Sequence, residues 1–205
     1  MQIPKAKKID KILEKFGDKR NDPYFWLNER ESKNEIASGL RGLEEENKYC
    51  EAVMKDTEPL QQELFEEMKA RYKKDDESLP YFFNGYWYII KYKDGKEYPL
   101  FYRRYKTLEA EDELMLDVNA LAEGEAFFEV RSVSVSMDNR IACFSSDNIG
   151  RRIYTLNFKD LQTGEMLPDK ILNTTGKAVW ANDGEHIFYI RKDESLRAFQ
   201  VYRHR

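Results

Sequence analysis

Val135-Ser136-Met137-Asp138-Asn139 and Trp180-Ala181-Asn182-Asp183-Gly184 repeat one pattern, an apolar strand end running into an Asp-led turn, 45 positions apart. The same offset aligns Tyr154 with Phe199 and Leu156 with Val201. A period of about 45 residues holding four short strands is the mark of a propeller blade. Working outward, Tyr81-Phe82-Phe83, a turn at Asn84-Gly85 and Tyr86 to Ile90 form a hairpin, and Asp94-Gly95 turns into a strand over 98–105. Further strands are expected at 114–118, 130–136, 140–145, 153–160, 177–180, 186–191 and 198–203, with turns at Asp138-Asn139, Thr163-Gly164 and Asp183-Gly184. The span 78–205 holds just under three such units. Propellers close with at least about four blades. The expectation is therefore a partial β-propeller of about three four-stranded antiparallel blades.

Before residue 78 the pattern is helical. Ile9, Ile12, Leu13 and Phe16 recur at helical spacing, a second helix is expected over 35–54, and a third over 59–72. Asp56 and Thr57 are capping types ahead of Pro59, and Leu60, Leu64, Phe65 and Met68 make an apolar stripe. Lys73 to Glu77 read as a charged hinge, so the expected division is a helical extension over 1–77 and a propeller over 78–205. The fold class is mainly β with an N-terminal α-helical extension.

Composition excludes several functions. The chain has 205 residues, 41% hydrophobic, 35% charged and 14% aromatic, which is enough apolar material for a core. A net charge of −4 gives no electrostatic case for nucleic-acid binding. Tyr86, Trp87, Tyr88, Tyr92, Tyr98 and Tyr102 are accordingly read as sheet-packing residues rather than a base-stacking platform. Cys50 and Cys143 suggest neither a disulfide framework nor a metal spacing. The charged first fifteen residues hold no signal-peptide core, and the apolar stretch Tyr86–Ile90 is far short of a membrane span. A soluble, cytoplasmic chain with no membrane partner is expected.

No catalytic machinery is visible. There is no Gly-x-Ser-x-Gly elbow, no phosphate loop and no metal-ligand cluster. His186, three residues after Asp183, is read as a strand histidine beside a turn, and His204 as a strand residue. Glu44-Glu45-Glu46 is a solvated helix face, and Glu123 and Glu125 are loop residues of no specificity. Arg151-Arg152, after Asn148-Ile149-Gly150, is either a surface pair flanking a strand or a planar-fork partner for carboxylates of a ligand or another domain. Expected catalytic residues, metal and cofactors are none.

A resemblance adds to this reading. Asp22-Pro23-Tyr24-Phe25-Trp26-Leu27 is similar to the Asp-Pro-Tyr-x-Trp-Leu signature near the start of the prolyl oligopeptidase family of serine peptidases. Glu46 to Met54, Gly85-Tyr86-Trp87-Tyr88, Gly95-Lys96-Glu97-Tyr98-Pro99, Leu116-Asp117-Val118-Asn119 with Ala122-Glu123-Gly124, Gly150-Arg151-Arg152 with Tyr154-Thr155-Leu156, Phe158 to Leu161, Trp180 to Gly184 and Tyr202-Arg203-His204 resemble the oligopeptidase B branch in register. The resemblance implies a helical extension packed on an α/β-hydrolase domain, with a seven-bladed propeller restricting access to short peptides. It also implies cleavage after Arg or Lys by a triad belonging to that other domain, so no catalytic position carries over. By the same resemblance, Tyr24, Trp26 and Leu27 would face the hydrolase domain. Arg151 and Arg152 would stand at the propeller–hydrolase interface. The implied partners are short basic peptides and the α/β-hydrolase domain. Alternative readings are a free-standing peptide- or protein-binding module and an inactive remnant.

Overall fold

The computed structural model describes residues 3–28 and 39–205, which fall into two units, Met1–Tyr72 and Lys73–Arg205.

The first unit opens with strands, not the helix that the spacing of Ile9, Ile12, Leu13 and Phe16 suggests. β1 (Ile12–Lys15) pairs antiparallel with β2 (Asp18–Asn21), Lys15 facing Asp18 across a two-residue turn. Phe16 and Gly17 take φ of +56° and +83°, the left-handed pair that a tight hairpin turn requires. Gly17 outweighs four apolar residues at helical spacing. A 3-10 turn over Phe25–Asn28 follows. Then come α1 (Gly39–Met54), a 3-10 turn at Lys55–Thr57 and α2 (Glu58–Ala70). The expected start of α1 near residue 35 lies outside the described residues. Thr57 does not cap α2. Its backbone stays helical, and its hydroxyl donates to the Met54 carbonyl at 2.6 Å, continuing the preceding turn.

The second unit is two antiparallel sheets. In the first, β3 (Asp76–Glu77) and β4 (Tyr81–Phe83) both pair with β5 (Tyr86–Tyr92), followed by β6 (Leu100–Tyr105) and β7 (Glu113–Asp117). Because β3 pairs with β5, residues 76–77 belong to this sheet rather than to a hinge. Asp117 then caps a short helix α3 (Val118–Leu121) by accepting from the N–H groups of Asn119 and Ala120. The second sheet runs in sequence order through β8 (Glu129–Val135), β9 (Ile141–Asp147), β10 (Tyr154–Asp160), β11 (Met166–Trp180), β12 (Ile187–Lys192) and β13 (Ala198–His204).

β11 is the joint between blades. Its outer part, Met166 to Thr174, pairs with β10, and its end, Ala178 to Trp180, pairs with β12. Near the junction the strand bends at Asn173 (φ +60°) and Gly176 (φ +82°). A Cβ on Gly176 would stand 2.6 Å from the buried Tyr154 ring, so only glycine fits this bend. The described residues thus hold two blades and three strands of a third, with no closed sheet.

The 45-residue repeat is visible in backbone hydrogen bonds. Ser136 N–H donates to the Ile141 carbonyl at 2.8 Å and Asn139 N–H to the Ser136 carbonyl at 2.8 Å. The corresponding bonds of the next blade are Ala181 to His186 at 2.8 Å and Gly184 to Ala181 at 3.2 Å. Core residues lie between blades. Tyr88, Met115, Val135 and Ala142 fill the first seam, and Cys143, Leu156, Phe158, Ile171, Ile187 and Tyr189 fill the second.

Candidate functional site

The innermost strands β4, β8 and the end of β11 border a groove of about 620 Å3. Strand alternation turns Tyr81, Phe83, Arg131 and Val179 outward along it, and all four are exposed. Behind Tyr81, at 5.2 Å between ring centroids and nearly parallel, stacks Tyr88, which is 5% exposed. Burial pushes the Tyr88 phenol up to about 12, so it stays protonated. Of the aromatic ladder expected to be core, Tyr88 alone is fully buried; Tyr86, Trp87, Tyr98 and Tyr102 are half-buried and Tyr92 is exposed.

Sequence reasoning missed the clamp beneath this groove. Arg103, 4% exposed, holds Glu113 by a two-point ion pair, with Nε to Oε2 at 2.8 Å and Nη2 to Oε1 at 2.5 Å. Its Nη1 reaches across to the Asn139 carbonyl of the next blade at 2.7 Å, and its plane lies over the Tyr86 ring. Asn84 donates to the Met137 carbonyl at 2.8 Å, and Asn139 donates back to the Asn84 carbonyl at 3.1 Å. The turn residues Asn84 and Asn139 were legible as turns. Their use as a seam between blades depends on a contact 55 residues apart in sequence.

Arg151 and Arg152 sit on a loop organised by one buried carboxylate. Asp147 accepts from Ile149, Gly150 and Arg152 N–H at 2.9, 3.0 and 2.6 Å. That wrap puts Arg152 at φ +57°, and Lys192 donates to its carbonyl from β12. Both guanidinium groups are exposed and, among the described residues, neither has an ion-pair or hydrogen-bond partner. Glu125 is drawn to the same loop, accepting from Asn148 at 3.4 Å.

His186 Nδ1 is 2.7 Å from Asp183 Oδ2, and this bond, with N–H donors from the turn, lowers the Asp183 carboxyl to about 2. Among the described residues neither histidine ring is hydrogen-bonded to a hydroxyl, and no group of three or more His, Cys, Asp and Glu is arranged to hold a metal. Cys50 is exposed and Cys143 buried; burial pushes the Cys143 thiol up to about 12. Among the described residues no helix is long and apolar enough to cross a membrane.

In the first unit, Tyr24 and Leu27 are about two-fifths exposed. Trp26 is half-buried, its Nε1 donating to the Lys7 carbonyl at 2.8 Å and its ring lying beside Gly42 of α1. Leu60, Leu64, Phe65 and Met68 of α2 are each about half exposed, an apolar stripe left open.

Residues 4–205 match the family described as prolyl oligopeptidase, N-terminal beta-propeller domain. The chain is 39% identical, over 97% of its length, to the dipeptidyl aminopeptidase BI of Pseudoxanthomonas mexicana, covering 30% of that protein. It is 31% identical over its whole length to protease 2 of Moraxella lacunata, again covering 30%. Oligopeptidase B from Leishmania major superposes with a TM-score of 0.88 at 30% identity, over 99% of this chain and 31% of that one. The chain therefore spans about a third of the relatives it matches.

Proposed function

The chain belongs to the prolyl oligopeptidase family of peptidases as its N-terminal β-propeller portion, and from that premise we propose that it serves a cytoplasmic oligopeptidase B-type serine endopeptidase cutting short peptides after Arg or Lys. Its part is to gate substrate and brace the catalytic domain, not to break the bond. What carries this reading is the likeness to the Leishmania oligopeptidase B in both sequence and backbone along nearly the whole chain.

Each unit has a surface suited to its part. The inner strands border an open, aromatic groove fit to line an entry route. The exposed stripe of α2, with Tyr24 and Leu27, offers apolar area to an α/β-hydrolase domain. Arg151 and Arg152, unpaired among the described residues, offer two planar forks to carboxylates of that domain, holding it closed.

The test is hydrolysis of an N-blocked Arg-Arg amide by the polypeptide in continuity with its α/β-hydrolase domain. Turnover with a strong preference over a Pro amide supports the reading, and turnover by residues 1–205 alone overturns it. Replacing both Arg151 and Arg152 with alanine should lower kcat/KM by roughly tenfold if each contributes a charge-assisted bond. Unchanged kinetics would remove them from the interface.

The 39% identity to a dipeptidyl aminopeptidase favours a second reading, release of dipeptides from a free amino terminus. Paired substrates with free and acylated amino ends separate the two, since an aminopeptidase needs the free amine and an endopeptidase does not.

A further inference from the structure

We infer that the groove along β4, β8 and the end of β11 is a subsite for an uncharged, apolar segment of peptide, separate from wherever a basic side chain is read. The inference rests on the peptidase reading above and adds a substrate preference to it.

The first observation is the charge of the lining. Among the described residues, Arg131 is the one charged side chain around the groove and no carboxylate lines it. A pocket for arginine or lysine needs carboxylates. The groove therefore repels the residue at which such an enzyme cuts, and it accepts another part of the same peptide. Tyr81, Phe83, Val179 and Trp180 give it apolar and aromatic walls, which suit apolar side chains.

The second observation is Tyr88. Its side chain lines the groove and is 5% exposed, yet among the described residues its hydroxyl proton has no acceptor, the Arg103 guanidinium beside it being able only to donate. The nearest cation, Arg103, is committed to Glu113 and the Asn139 carbonyl, and a guanidinium has no lone pair to accept a phenol proton. The Tyr88 hydroxyl is thus a desolvated donor lacking an acceptor, a costly state unless something supplies one. A peptide carbonyl entering beside the exposed Tyr81 ring, with a small shift of that ring, supplies it. Apolar walls with a waiting donor select a peptide backbone flanked by apolar side chains.

The experiment uses the full-length polypeptide and two quenched peptides of equal length. They share the residues around the cut and differ at a distal pair, Phe-Leu in one and Ser-Gly in the other. A minimal Arg-Arg amide is the control. The expected result is a lower KM for the Phe-Leu peptide, with that advantage reduced roughly two- to tenfold by Tyr88→Phe and the minimal amide unchanged. Val179→Glu, on the exposed rim, should reverse the preference toward a distal Lys-Leu peptide, and it keeps the test open if Tyr88→Phe disturbs packing. Equal KM for the two wild-type substrates, or an equal effect of Tyr88→Phe on the minimal amide, overturns the subsite. If no substrate turns over, the peptidase reading has failed. Calorimetric titration of the same protein with the Phe-Leu peptide then decides the groove independently: saturable binding lost in Val179→Glu supports it, and no binding overturns it.

Discussion

Strands β10 and β13 hold the same place in successive blades, yet Tyr154 and Leu156 are 1% and 0% exposed where Phe199 and Val201 are 54% and 69% exposed. The sequence is apolar at both places because the blade period demands it. Burial differs because β10 is covered by the following blade, through Ile187, Tyr189, Ala178 and Trp180, and nothing described covers β13. A blade cannot bury its own faces, so the free energy of this fold resides in seams between neighbours rather than inside each sheet.

The largest expected effect is at the joint where one blade becomes the next. Gly176→Ala forces a side chain into a left-handed bend, costing about 1–2 kcal/mol. It also drives a methyl group into the Tyr154 ring, adding overpacking of about 1–3 kcal/mol. Gly184 has a similar φ of +73° but open space around it, so Gly184→Ala should show the backbone part alone. Urea unfolding of the two variants separates the contributions. Equal losses would mean that the Tyr154 contact does not matter and that the seam tolerates movement.

Of comparable size is the paired truncation. Leu156→Ala should cost about 2–5 kcal/mol, the usual price of a core cavity, while Val201→Ala should stay within about 0.5 kcal/mol, as exposed substitutions do. The comparison sharpens in the longer polypeptide. A Val201→Ala loss approaching that of Leu156→Ala there would show a further blade seated on β13.

The same contrast explains what was legible in the sequence. Turns spoke plainly, because Asn84-Gly85, Asp138-Asn139 and Asp183-Gly184 supply left-handed backbone where two strands must reverse. Strands between them followed within a residue or two. β11 was the exception: a strand was expected only at 177–180, and its outer part, 166–176, carries Pro168, Asn173 and Gly176, residue types that weaken a strand pattern. At the blade edge a proline costs no ladder bond, and the bend at Gly176 is what lets one strand serve two blades. The N-terminal hairpin was misread because four apolar residues at helical spacing spoke louder than one Gly17. In the groove, Tyr81 and Phe83 were legible as strand residues. Their convergence with Arg131 and Val179 was not, because nothing local in sequence sets the distance between inner strands of different blades. The Arg103 clamp was hidden for the same reason, and Arg151-Arg152 stood out because adjacent arginines after Gly150 are a local signal.

The smallest effect compares the two equivalent turns under acid. Asp138 is held below the ordinary carboxylate range first by the Ser136 hydroxyl and also by the Arg140 N–H, despite some opposing desolvation. Asp183 is held at about 2, first by His186 and then by the Glu185 N–H. Both folded values lie below the unfolded value of about 3.8, so each carboxylate binds its proton more readily in the unfolded chain. Their contribution to stability is therefore present above about pH 4 and is lost as pH falls. For Asp183 the loss extends down to about pH 2. Asp183→Asn keeps an acceptor for the turn but removes the titration, so its stability should fall less steeply between about pH 4 and about pH 2 than the wild type's. Asp138→Asn should flatten the same slope through the other turn. Hydrogen exchange of peptides spanning 136–141 and 181–186 reads each turn separately. If the two wild-type turns lose protection together and neither substitution alters its own turn's slope, then the blades melt as one seam-bound body and the local carboxylates do not govern the acid response.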